Sequence, residues 1–190
     1  ELNEFSRADA RVLEQGLEDI YPGKGVAVFD RIYHWTNGHP YLTQKLCLAA
    51  SEDAKCTESP DQVDALVNSL FLSEAARRET NLQFIRDNIT AQGAEEQRRL
   101  MSIYRDVLRE KSVVEDERSL EQGRLKLIGL VKGTNRVLHV RNNVYRTVFD
   151  KALTRTDPEQ IHHVAFSAIR ARRFATPAMF PVSTKPVEVM

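Results

Sequence analysis

The feature of this sequence that most constrains its fold is a break between two helices at Gly38-His39-Pro40. Glycine is the usual residue just past a helix C-terminus, and proline suits the first helical turn because its missing N–H has no partner there. Apolar residues recur at helical spacing on both sides: Val26, Phe29, Ile32, Tyr33 and Thr36 before the break, and Leu42, Leu46, Ala49 and Ala50 after it. The stretch predicts a helix, a tight turn and a second helix, and an ordinary turn is the simplest explanation.

Composition places the chain among soluble globular proteins. Its 190 residues, 42% of them hydrophobic, suffice for one compact domain or two small ones. No apolar run approaches the roughly 18–20 residues that cross a bilayer, and no signal-peptide pattern is present. The chain opens on Glu1 rather than methionine. We therefore expect a piece of a longer cytoplasmic protein without membrane contact, in which Cys47 and Cys56 are reduced thiols.

Residues 1–92 predict a small helical bundle. Ser6, with Asp9 three residues later, is typical of a helix start, and the break described above supplies two further helices. Two more apolar stripes follow at helical spacing; they are Val63, Leu66, Val67, Leu70 and Phe71, and then Leu82, Ile85 and Ile89.

Residues 93–155 predict a winged-helix domain, since two helices, a β-hairpin and a last helix follow one another. The hairpin is predicted from strands at Leu130–Lys132 and Arg136–Val140 around Gly133-Thr134-Asn135. Ser119 is the predicted cap of the second helix, and Asn142 or Asn143 that of the last. The stripes of the three helices are Leu100, Ile103, Tyr104, Val107 and Leu108; Leu120, Leu127, Ile128 and Val131; and Val144, Val148, Phe149 and Ala152. The predicted fold class is therefore mainly α, a helical bundle followed by a winged helix.

Residues 156–190 predict a C-terminal helix and an extended or disordered tail. Asp157-Pro158 is typical of a helix start, and prolines recur in the last sixteen residues.

No catalytic or metal-binding pattern is present in the sequence. The loop Gly23-Lys24-Gly25 lacks the order of a phosphate loop, which is Gly, four residues and then Gly-Lys-Ser/Thr. Adjacent His162 and His163 lie on different faces of their predicted helix and cannot chelate one metal as an i, i+4 pair would. We expect no catalysis by this chain alone, no metal and no cofactor in the fragment by itself.

Positive charge is concentrated in residues 119–155, which contain eight Lys or Arg and two Asp or Glu, although the whole chain is neutral. A winged helix could present this charge to DNA through its second helix and its wing. The candidate contacts, for nucleic acid or for another domain, are Arg124, Lys126, Lys132 and Arg136. The alternative is that these cations face water or pair with the acidic first part of the chain.

Four segments of the sequence resemble a known family. "IYHWTNGHPYLTQKLC" resembles the segment after the nucleotide-binding core in the AAA-like domain of STAND-type regulatory ATPases, and the similarity continues through "NLQFIRDNIT", "LKLIGLV" and "VLHVRNNVYRTVFD". It covers roughly residues 1–154. The resemblance implies a helical lid and a winged helix that close over ADP, without the P-loop core, because Walker A and Walker B sequences are absent.

The resemblance also implies two nucleotide contacts. Gly38, His39 and Pro40 match the family's Gly-x-Pro position, so Pro40, with His39 as a further candidate, would line the adenine or ribose. Arg141 stands where related receptors carry the His of Met-His-Asp, which senses the β-phosphate of ADP. This is a departure, but arginine is a good phosphate partner beside a helix N-terminus. The alternative is that Arg141 is a solvated residue of the wing.

The sequence therefore predicts a regulatory lid and winged-helix fragment that senses nucleotide state and contacts other domains. ADP or ATP would be bound by the intact parent protein, whose P-loop core would be the main partner, with self-association as a further contact. Two alternatives stay open, a DNA-binding winged helix and a protein-interaction scaffold.

Overall fold

The computed structural model describes residues 3–53, 61–74, 76 and 79–154, the last four as backbone only. In these ranges the chain is mainly α-helical with one short antiparallel hairpin, which confirms the predicted class at this level. The elements are α1 (Arg11–Ile20), α2 (Gly25–Thr36), α3 (Pro40–Glu52), α4 (Gln62–Val67), α5 (Thr80–Thr90), α6 (Ala94–Leu108), α7 (Leu120–Leu127), β1 (Val131–Thr134), β2 (Val137–Val140) and α8 (Asn143–Thr154). The described residues all lie in one compact unit, which spans Glu1–Arg155. Cys56 and the predicted helix and tail of 156–190 lie outside the described residues.

The chain before α1 is fixed by reciprocal hydrogen bonds between Ser6 and Asp9. The Asp9 N–H donates to Ser6 Oγ over 3.2 Å, and the Ser6 N–H donates to Asp9 Oδ2 over 3.0 Å. This is the geometry of a capping box at the predicted cap, although the regular helix begins only at Arg11. The guanidinium of Arg7 lies 4.9 Å from the centroid of the Phe29 ring and holds the segment against α2.

The buried face of α2 differs from the predicted one. Phe29, Ile32 and Thr36 are buried as expected, but Val26 is exposed and Val28 is buried in its place. The reason is that α2 packs between α1 and α3, so side chains that face these two helices are covered.

The helix that begins at Gln62 changes from α-helical to π-helical winding. α4 runs directly into a π-helical turn, Asn68–Leu72. Val63, Val67 and Phe71, spaced four residues apart, are all buried, so this part of the predicted stripe is present. The π-helical turn then contacts α8.

A buried carboxylate joins α3 to α5. Glu79 Oε2 accepts the Leu82 N–H over 2.8 Å and caps α5, while Glu79 Oε1 accepts from the Tyr41 hydroxyl over 2.5 Å and from Lys45 Nζ over 3.0 Å. Burial acts to raise the pKa of Glu79, but these hydrogen bonds outweigh it and hold the pKa below its usual range.

Three extended segments after α6 form a small antiparallel arrangement beside α7. β1 and β2 pair in a register that places Val131 opposite Val140. On the other edge of β2, the Leu138 N–H donates to the Val113 carbonyl oxygen over 2.9 Å, and Val114 forms a bridge to the same strand.

The hairpin turns at Asn135-Arg136, so the predicted turn at Gly133-Thr134-Asn135 is wrong. Asn135 and Arg136 have φ of 52° and 63°, as in a two-residue type I′ turn, and Gly133 and Thr134 belong to β1. The physical reason is that a type I′ turn matches the twist of the two strands and asparagine tolerates the left-handed conformation.

The predicted buried stripe of α7 is only half correct, since Ile128 and Val131 are buried as predicted but lie beyond the end of the helix. Leu120 and Leu127 were expected in the core but are 85% and 86% exposed, whereas Leu125 and Gln122 are buried. α6 and β1 contact the side of α7 that carries the buried pair. A helix of eight residues is too short for its period to specify one buried face. Its predicted cap is confirmed, since Ser119 Oγ accepts the Gln122 N–H over 3.2 Å.

α8 packs against elements from both halves of the compact unit. It begins at Asn143 because Asn142 Oδ1 accepts the Tyr145 N–H over 2.9 Å, which decides between the two predicted caps. It contacts α2, the π-helical turn, α6 and β2. The predicted parts 1–92 and 93–155 therefore share this helix, and the division between them stays a prediction.

Candidate functional site

The predicted break between α2 and α3 is present and needs its glycine. Asn37 and Gly38 are both left-handed, with φ of 49° and 76°, and Pro40 is the first residue of α3. The Phe5 N–H donates to the Gly38 carbonyl oxygen over 2.8 Å, and a side chain at Gly38 would overlap the Phe5 carbonyl oxygen. Only glycine combines this φ with so close an approach of another backbone segment.

His39 connects α3 to α8 and α5 through a chain of hydrogen bonds. Its Nε2 lies 3.1 Å from the Tyr145 hydroxyl, which lies 2.6 Å from Asn81 Oδ1. Because the tyrosine proton is donated to the Asn81 oxygen, Nε2 of His39 must carry a hydrogen and donate to Tyr145. Its Nδ1 is then the acceptor for the Leu42 N–H at 3.5 Å, which caps α3.

The imidazole of His39 is neutral at pH 7. Burial, followed by the positive charge of Arg141, lowers the pKa of His39 to about 4. A second proton would have to sit on Nδ1, where it would face the Leu42 N–H, so the hydrogen bonds also favour the neutral ring.

Arg141, at the junction of β2 and α8, lies next to the break. Its carbonyl oxygen accepts from Asn37 Nδ2 over 3.0 Å, and its N–H donates to the Leu130 carbonyl oxygen over 3.0 Å. Its side chain is 12% exposed, which excludes the alternative of a solvated wing residue. The structure thus brings together the two positions that the resemblance singled out, which are about a hundred residues apart in the chain.

The first residues of α8 complete this junction. Asn143 Nδ2 donates to the His34 carbonyl oxygen over 2.7 Å, a second bond between the end of α2 and the start of α8. Asn142 is 4% exposed, and within the described part of the chain its Nδ2 has no hydrogen-bond partner. A buried amide donor of this kind is costly unless something satisfies it.

The Glu4 carboxylate lies against the same junction. Its Oε2 is 2.7 Å from Lys132 Nζ, and its Oε1 is 3.4 Å from Arg141 Nε. Lys132, a candidate contact for nucleic acid or another domain, is therefore an ion-pair partner of the N-terminal segment, as in the alternative that these cations pair with the acidic first part of the chain.

The other predicted basic positions do not gather into one free surface. Arg124 pairs with Glu96 of α6, and Lys126 Nζ lies 2.7 Å from Glu115 Oε1. Arg136 occupies the exposed tip of the hairpin. Carboxylates from the preceding segments thus pair with both cations of α7.

Several residues of the site have no local signal in the sequence. Glu4, Asn37 and Asn81 bind to residues far along the chain, and the sequence around each of them contains no motif that would indicate a site. Tyr145 could have been found, because it lies on the buried stripe of α8 and has a hydroxyl that needs a partner.

Other chemistry has little support among the described residues. Cys47 is buried in α3, and burial raises the pKa of its thiol to about 12, so it is not a nucleophile at neutral pH. Over the described ranges, His, Cys, Asp and Glu do not gather in threes as a metal would need. None of the described helices has the length and apolarity to span a membrane.

Comparisons with known proteins give two partial similarities. No family model and no solved structure matches the chain. The chain is 25% identical over 158 residues to an uncharacterized WD repeat-containing protein of Synechocystis sp., a match that covers 78% of this chain and 13% of that protein. It is 64% identical over 31 residues to a dihydroorotate dehydrogenase (quinone) of Nocardioides sp., covering 16% of this chain and 9% of that protein. The chain thus spans a small fraction of each relative, and neither match assigns it to a family.

Proposed function

We propose that this chain is the regulatory helical lid and winged helix of a STAND-type signalling ATPase. It senses nucleotide state and contacts other domains, and it is not catalytic alone. In the intact cytoplasmic protein a P-loop core provides the rest of the nucleotide site, and ADP or ATP is the ligand.

The observation that carries this proposal is the hydrogen bond from Asn37 Nδ2 to the Arg141 carbonyl oxygen. It places the Gly38–Pro40 break, the proposed adenine contact, beside the proposed phosphate contact. A nucleotide touched by both would link the helical bundle to the hairpin and α8. Such a link is what a nucleotide-dependent switch between the two parts requires.

The order of elements after α5 supports a winged helix. α6 is followed by an edge segment at Val113, then by α7, the β1–β2 hairpin as the wing, and α8. The Synechocystis relative supports a larger parent protein, since it carries WD repeats by its name and the match covers only 13% of its length.

The experiment is nucleotide release from the intact protein. Pro40→Ala and Arg141→Ala should each release a fluorescent ADP analogue about tenfold faster, the change expected for losing one good contact to the nucleotide. Arg99→Ala is the control, because the exposed Arg99 of α6 pairs with Glu95 of the same helix and with Glu121 of α7. If both test variants retained ADP as long as the parent, the proposed nucleotide roles would be wrong.

The protein-interaction alternative has one observation in its favour. The outer face of α7 carries Leu120 and Leu127, with Gly123 between them in open space. An apolar stripe of this kind suits a protein surface better than a phosphate backbone. The DNA-binding alternative would have to use Arg124 and Lys126, which are held by carboxylates.

A further inference from the structure

Two cations from separate elements converge on one carboxylate at the junction of β2 and α8. Lys132 of β1 contacts one oxygen of Glu4, and Arg141 contacts the other. The side chain of Lys132 is 31% exposed, that of Arg141 12% and that of Glu4 23%, so the cluster is shielded from bulk water. A guanidinium and an ammonium placed on two oxygens of one anion would suit a phosphate group equally well.

The backbone beside Glu4 is anchored without the help of its carboxylate. The Phe5 N–H donates to the Gly38 carbonyl oxygen, and the Tyr33 hydroxyl donates to the Phe5 carbonyl oxygen over 2.8 Å. The Glu4 side chain can therefore rotate away from the two cations while the N-terminal segment stays in place.

We propose that the Glu4 carboxylate is the resident anion of a site formed by Lys132 and Arg141, and that a phosphate group binds there by displacing it. This inference rests on the proposed function, because the phosphate would belong to the bound nucleotide. It adds Lys132 as a second cationic contact and Glu4 as a competitor built into the chain. Phosphate binding would therefore be opposed by Glu4, which would lower the affinity and ease release.

The test is calorimetric titration of the chain with inorganic pyrophosphate at low ionic strength. Glu4→Gln keeps the shape of the side chain and removes its charge, so pyrophosphate affinity should rise about tenfold. Glu110→Gln is the matched control, because it removes the same charge from an exposed partner of Arg146 and should change affinity less than about twofold. Adding Arg141→Gln to the Glu4→Gln chain should reverse the gain.

The outcomes separate this inference from the proposed function. Equal affinities for the Glu4→Gln and Glu110→Gln chains would show that the carboxylate does not compete, and would overturn the inference alone. Failure of the Glu4→Gln chain to bind pyrophosphate would also overturn it, because the vacated site would then not accept the anion. In either case the ADP-release experiment with Pro40→Ala still decides the proposed function.

Discussion

The α2–α3 break and the outer face of α7 lie in one compact unit but use their polar groups in opposite ways. At the break, His39 and Arg141 are turned inward, shielded from water and bonded to residues from distant parts of the chain. On α7, Arg124 and Lys126 are half-exposed and paired with nearby carboxylates, and the outermost side chains are leucines.

The difference shows that a basic stretch of sequence need not make a basic surface. Eight positive charges in residues 119–155 suggested a polyanion surface, yet carboxylates of neighbouring segments pair with both cations of α7. Polar groups buried at the break carry a desolvation cost, and groups of this kind are concentrated at functional sites. The break is therefore the better candidate site, and three measurements can test this contrast.

The largest expected effect is a difference in stability between two glycine-to-alanine variants, one in each region. Gly38→Ala should lower the free energy of unfolding by about 2–4 kcal/mol, because alanine is strained at a φ of 76° and its Cβ would overlap the Phe5 carbonyl oxygen. Gly123→Ala in α7 should be neutral or raise it by up to about 1 kcal/mol, because a Cβ there meets open space. Urea unfolding of both variants measures the difference. Similar losses would mean that the break is no more demanding than a surface helix.

The next effect is a pH dependence of stability that belongs to the break. Because the folded pKa of His39 is about 4 and histidine ordinarily has a pKa of about 6.5, the unfolded chain binds more protons between these pH values. Stability from this residue is therefore complete above pH 6.5 and is lost as the pH falls toward 4, by about 2–3 kcal/mol.

Two variants isolate this contribution in urea unfolding at pH 7, 6 and 5. His39→Asn can still cap α3 but does not titrate, so its stability should fall less with acid than that of the parent. His139→Asn makes the same substitution at an exposed histidine of β2 and is the matched control. If the His39→Asn chain followed the parental profile, the ring would not be held neutral by its surroundings.

The break could be predicted from sequence because its chemistry is local. A glycine past α2 and a proline opening α3 act within a few residues, as do Ser119 and Asn142 at their caps. The contact between Asn37 and Arg141 could not be predicted, because it depends on where α8 docks across the whole fold. The hairpin turn was misplaced because Gly133 gave the stronger local signal.

The smallest effect is expected for DNA affinity, and it tests the α7 region rather than the break. Because Arg124 and Lys126 are already paired, changing both to glutamine should alter duplex-DNA affinity less than about twofold, as for cations that make no phosphate contact. Fluorescence anisotropy at ~50 and ~200 mM salt measures this, and a DNA-binding winged helix with several phosphate contacts would lose ~10³ in affinity over that range. A steep loss of affinity with salt for the parent, reduced by the two substitutions, would favour DNA binding. A weak and salt-insensitive signal would favour α7 as a surface for protein contacts. Its outermost residues, Leu120 and Leu127, have neither a charge nor a hydrogen-bond donor with which to bind a phosphate.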